Sequence, residues 1–261
     1  MPTHPSTSSD ALQRGSNEGG TRLLQVSDDV WVTKCPLRFF GVEIGTRMTV
    51  VRLDDGGLWL HSPIELDEGL VAELAALGPV RHIVAPNRFH HLYAGPAHER
   101  FGQAALHLAP GLLKKRSDLA AGKEIALEGE PPWGPEIYFH RVGGLRVLGE
   151  CVFFHAASRT LIVSDLVFNF GPGDPWVTRQ FGRVSGTYGK LGCPADLRLL
   201  FLADREAFRS SMSLIRSWAF ERIVLAHGEL VGDDAMQAFE QAFAFLRLPD
   251  ASGSASSPSA P

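Results

Sequence analysis

Where an apolar run stops at a proline, the chain delivers two adjacent histidines: Val84-Ala85-Pro86-Asn87-Arg88-Phe89-His90-His91. Imidazole is a good ligand for borderline metals and titrates near neutrality, so neighbouring histidines at a strand end mark a place for metal binding or proton transfer. Two later segments finish in the same manner, Thr160-Leu161-Ile162-Val163-Ser164-Asp165 and Arg222-Ile223-Val224-Leu225-Ala226-His227-Gly228. Strand ends set side chains into a crevice on a rigid base. The candidate metal ligands are therefore His90, His91, Asp165 and His227, with either of the adjacent histidines able to serve. Gly228 lets the backbone behind His227 approach closely. His61 follows the Trp59-Leu60 run and precedes Ser62-Pro63. His61 and Asn87 are the candidates to orient a substrate or relay a proton. Ser62 is a poor candidate nucleophile, because nothing in the sequence fixes a base beside it.

These residues need a core to hold them, and composition supplies one. The 261 residues are 44% hydrophobic, enough for one compact domain over residues 23–248. Residues 1–22 and 249–261 are polar, small and proline-bearing, and read as disordered tails. The formal net charge of −4, with basic residues scattered, argues against a nucleic-acid or membrane partner and leaves a small-molecule substrate. Cys35, Cys151 and Cys193 are far apart and odd in number, which indicates neither a disulfide framework nor a zinc ribbon. With no secretory signal and no apolar run of about 20 residues, the expected location is the cytoplasm.

The pattern of elements is a β-meander (strands near 26–32, 46–53 and 58–60), a helix over 67–77, a strand over 80–85, a short helix over 96–101 and a strand over 105–108. A hairpin follows (150–154 and 160–163, after a strand at 137–141), then helices over 205–218 and 233–246 flanking the strand that carries His227. Residues 170–194 are rich in Gly, Pro and aromatic residues and read as a long loop, either a substrate lid or a mobile segment. His155 sits at the far turn of the hairpin. About six residues at ~3.3 Å each separate it from Asp165, so it is expected to be structural.

This order, with its strand-end residues, resembles the metallo-β-lactamase fold, an α/β protein built as an αβ/βα four-layer sandwich with a metal site along one edge of its two sheets. His61-Ser62-Pro63, Pro86-Asn87 with His90-His91, Phe154-His155, Ser158-Arg159-Thr160-Leu161-Ile162 with Asp165, and Ala226-His227-Gly228 together resemble an uncharacterised domain-of-unknown-function branch of that superfamily. The resemblance implies HxHxDH after the strand at 80–85, but Pro86 and Arg88 occupy the earlier histidine positions if His91 takes the last one, and His90 falls on the aspartate. Gly144-Leu145 stands near the position of a further Gly-His ligand. Asp165 and His227 match their positions. The reduced set implies one divalent ion rather than two, zinc ahead of iron.

The function expected on this basis is metal-dependent hydrolysis of an ester, lactone, thioester or phosphoester by a metal-activated water. A mononuclear iron oxidoreductase and a metal-free binding or scaffold protein are the alternatives.

Overall fold

Alternating apolar residues and tight turns build the first half as a sheet, and a computed structural model describes residues 23–145 and 147–248. The two expected tails lie outside the described residues. β1 (Leu24–Ser27) and β2 (Val30–Cys35) lead into a short hairpin, β3 (Arg38–Phe39) and β4 (Val42–Glu43), then β5 (Thr46–Arg52) and β6 (Leu58–His61). Helix α1 (Glu68–Leu77) starts where the Asp67 carboxylate accepts from the Leu70 amide at 2.7 Å and stops at Gly78. β7 (Val80–Ala85), α2 (Ala94–Arg100), β8 (Ala105–Leu108) and β9 (Lys123–Glu124) follow. The resulting seven-stranded sheet has the order β1-β2-β5-β6-β7-β8-β9.

β10 (Ile137–Arg141), β11 (Cys151–His155), β12 (Thr160–Ile162) and β13 (Arg222–Val224) form a second, four-stranded sheet in that order. Helices α3 (Trp176–Ser185), α4 (Arg205–Ser217) and α5 (Ala235–Ala242) complete the chain. α3 corrects the sequence reading of 170–194 as an unbroken loop. Its buried residues are Thr178, Gly182 and Ser185. A helix that buries small, weakly apolar residues carries no conventional core stripe, so periodicity did not show it.

Period-two alternation sorts side chains into layers. Leu58, Leu60, Ile83 and Ala85 pack on Leu70 and Leu74 of α1 and Ala94 and Ala97 of α2. Val152, Phe154, Leu161 and Ile223 face Phe208 and Met212 of α4 and Phe239 of α5. The other strand faces, including Trp59, Val84, Phe153, Ile162 and Val224, meet between the sheets. Helices outside two apposed sheets are the expected αβ/βα sandwich. Each fully buried aliphatic or aromatic side chain contributes roughly 1.5–3 kcal/mol to holding these layers together.

Candidate metal centre

Two pairs of parallel strands aim their C-terminal ends at the same edge. β12 and β13 pair in parallel with Ile162 opposite Val224. Extending each strand by three residues puts Asp165 beside His227. β6 and β7 are also parallel, with His61 opposite Val84, and β7 runs into the turn that carries His90. The result is a cluster of His90, Asp165 and His227 whose ligand atoms lie within 4.8 Å of one another. Asp165 Oδ1 is 3.3 Å from His90 Nε2 and 3.2 Å from His227 Nε2, and the two Nε2 atoms are 3.1 Å apart.

The far side of each imidazole is engaged. His227 Nδ1 donates to the Gly45 carbonyl at 2.7 Å, which fixes its tautomer and leaves Nε2 as a lone-pair donor to a metal. His90 Nδ1 is 2.7 Å from Ser62 Oγ. Ser62 has φ +53°, a left-handed conformation that costs of order 1 kcal/mol in a residue with a Cβ. That conformation turns the hydroxyl onto His90 while the Ser62 amide donates to Val84 O at 2.9 Å. The sequence had left Ser62 without a base; the structure supplies His90 as its partner, and that pair becomes legible only once two distant strands are joined.

Asn87 and Glu150 brace the carboxylate. Asn87 Nδ2 donates to Asp165 Oδ2 at 2.7 Å and Glu150 Oε2 at 2.6 Å, while Asn87 Oδ1 accepts from the Phe89 and His90 amides, each at 2.7 Å. Both ends of this fully buried amide are thus spent on protein groups rather than turned toward a substrate. Glu150 Oε1 accepts from Ser164 N at 2.8 Å, Ser164 Oγ at 3.0 Å and Asp165 N at 3.1 Å. Sequence reasoning saw Glu150 only as the start of a strand. A lone acidic residue just before an apolar strand, here Cys151-Val152-Phe153-Phe154, was the available signal.

Burial alone would raise Asp165, but flanking His90 and His227 hold its carboxyl well below the usual carboxylate range. Burial, and then the Asp165 charge, push Glu150 up. Burial disfavours the charged form of His90, yet Asp165 and Glu150 leave it raised.

His61 lies beside the cluster but makes no bond to it. Its ring stacks on Trp59, centroids 5.7 Å apart, and meets the Phe153 ring at 5.3 Å. It is buried, and neither ring nitrogen has a hydrogen-bond partner among the described residues. Burial and the neighbouring His90 push its pKa down to about 3, so it stays neutral. His91 is not one of the three converging donors: its Nδ1 is 2.6 Å from Arg116 Nη1. Burial, with Lys115 and Arg116 nearby, pushes His91 down to about 4. His155 bonds Ser158 Oγ at 2.7 Å and serves its hairpin turn.

Arg47, buried on β5, braces the strand that precedes His227 by donating to the carbonyls of Leu225 and Gly228. Gly228 has φ +95°, and a Cβ there would collide with the Asn169 carbonyl. This is the close approach expected of that glycine.

The residues fit a resident metal ion: two imidazole nitrogens and a carboxylate converge, their outer atoms are already oriented, and a buried histidine with two unengaged nitrogens lies alongside. The match to a mononuclear site is one of donor chemistry.

Among solved structures the chain is similar to a metallo-β-lactamase from Pontibacter korlensis, with TM-score 0.60 and 14% identity over 88% of this chain and 100% of that one. It is also similar to the mono-zinc form of the metallo-β-lactamase FIM-1 from Pseudomonas aeruginosa, with TM-score 0.59 and 11% identity over 89% and 98% of the two chains. A metallo-β-lactamase from Erythrobacter litoralis gives TM-score 0.58 and 16% identity over 87% and 97%. At such identities the likeness shows the fold. No curated protein matches the sequence. The family model for a domain of unknown function, DUF4336, matches residues 27–181, more than half of the chain, and the chain therefore belongs to that family and carries the metallo-β-lactamase-like fold.

Proposed function

We propose that the protein is a metal-dependent hydrolase of a small-molecule ester, lactone, thioester or phosphoester, with one divalent ion, zinc ahead of iron, held by His90, Asp165 and His227. The observation that carries this reading is the convergence of these three donors with their outer atoms already engaged. When bound, such an ion lowers the pKa of its water toward neutrality and polarises the bond to be cleaved. The protein's own groups do the rest. Ser62 and the Gly45 carbonyl orient the two imidazoles. Asn87 and Glu150 hold the Asp165 carboxylate and the His90 turn in place. His61, neutral and with free ring nitrogens, is the group available to orient a substrate by hydrogen bonding. Among the described residues no helix is long and apolar enough to cross a membrane, and the proposed location is the cytoplasm.

The test is a hydrolysis screen across these four substrate classes, using zinc-reconstituted protein, chelator-treated protein and His227→Ala. The reading expects an activity that chelation and His227→Ala both abolish. An activity untouched by both would contradict it. Two histidines and one carboxylate are also the donor set of mononuclear iron enzymes, so iron retained through aerobic purification would move the same three residues to an oxidoreductase reading.

A further inference from the structure

We propose that helix α3 and the tip of the β3–β4 hairpin form a docking surface for an anionic lipid bilayer. An ordinary surface helix buries its apolar face, whereas α3 packs only Phe181 back, on Phe170 at 6.0 Å, and turns its other apolar residues outward. It buries Thr178, Gly182 and Ser185 while Trp176 is 64% exposed, Val177 48% and Val184 85%. Thr178 Oγ1 donates to the Glu43 carbonyl at 2.6 Å and joins the helix to the hairpin. The hairpin turns through Phe40 and Gly41, both at positive φ, and this turn leaves Phe40 92% exposed and Phe39 46%. The helix and the hairpin bonded to it thus expose a tryptophan, two phenylalanines and two valines between them.

The charges beside these apolar groups favour a lipid occupant. Arg179 and Arg183 follow Trp176 by three and seven residues and so share its side of the helix. The nearby acids face cations of their own: Glu43 lies 3.8 Å from Arg38, and Asp174 lies close enough to Lys34 to favour its charged form. Tryptophan and phenylalanine with arginines at their flank suit the headgroup–acyl boundary, where rings enter and guanidinium groups meet phosphate. The overall charge of −4 pointed away from membranes because it averages over the chain, whereas docking depends on the local surface. The hairpin also borders the candidate metal centre: the Phe39 ring is 6.2 Å from that of Phe89, the neighbour of His90. Docking itself does not depend on a bound metal.

Flotation of the full chain with vesicles of phosphatidylcholine, or of phosphatidylcholine with about one third phosphatidylglycerol, tests this. The proposal expects binding to the anionic vesicles at least tenfold tighter than to the neutral ones, and weakened by salt. Phe40→Ser with Val184→Ser, at exposed positions that leave the fold and its circular dichroism intact, should cut binding at least tenfold. Arg179→Gln with Arg183→Gln should remove the anionic preference. Chelator-treated protein should float equally well, so loss of the metal reading leaves this result standing. Absence of flotation, or flotation unchanged in both double variants, would overturn the proposal. So would a dimer in sedimentation velocity that Val184→Ser dissociates, since the occupant would then be a second copy.

Discussion

The two sides of the candidate metal centre are built by different means. Asp165 and His227 extend from adjacent parallel strands, and the Ile162–Val224 register sets them side by side. His90 leaves a turn beyond β7, where no strand partner fixes its direction. Its aim depends on Asn87 Oδ1 taking its amide and Ser62 Oγ meeting its ring. Backbone pairing positions one side, and buried side-chain hydrogen bonds position the other. The second kind of positioning breaks with a single substitution.

Glu150→Ala should have the largest effect, because it strips the partner from Ser164 N and Asp165 N and one partner from Asn87 Nδ2 inside a buried network. Unfolding free energy is expected to fall by about 3 kcal/mol in urea titrations, since each orphaned buried polar group costs ~1–3 kcal/mol. A loss under about 0.5 kcal/mol, the range of ordinary surface substitutions, would mean that the turn holds itself. Ser62→Ala comes next. The fold should persist while zinc affinity drops by about 10–100-fold, the usual cost of losing the partner of a liganding histidine. An unchanged affinity would show that the turn needs no hydroxyl to aim His90.

On β8, two strands over from His61, His107 sharpens the comparison as a buried histidine outside the cluster. Its ring bonds His82 at 3.0 Å, and burial with that neighbour pushes it down from 6.5 to about 4. Below pH 6.5 the unfolded chain takes up the proton first, so stability is full above that value and falls as pH drops toward 4. The His107 share of this loss approaches about 1.4 kcal/mol per pH unit, and His107→Gln should remove that share in urea titrations at about pH 7 and about pH 5, while His61 and His91, also pushed down, keep theirs. The smallest effect on the centre is expected for His91→Ala, which removes one partner of Arg116, still paired with Asp118, and leaves zinc affinity within about twofold of wild type.

The same contrast explains what could be read in the sequence. Asp165 and His227 were legible because each ends an apolar β-branched run, and strand ends carry their residues to one edge. The layers were legible because Leu58, Leu60 and Trp59 alternate between faces. The choice between His90 and His91 was not, because adjacent residues in a turn point in different directions according to distant partners, here Ser62 and Arg116. Glu150 was missed for the same reason: its partners come from two distant segments, Asn87 and Ser164–Asp165. α3 escaped notice because Trp176, Val177 and Val184 face outward, against the pattern that periodicity assumes.

The most direct measurement is metal content by elemental analysis after zinc reconstitution, on wild type, His90→Ala, His227→Ala and His91→Ala. The account expects near one ion per chain in wild type and His91→Ala, and little in the other two. Equal metal in all four proteins, or loss in His91→Ala with retention in His90→Ala, would contradict it.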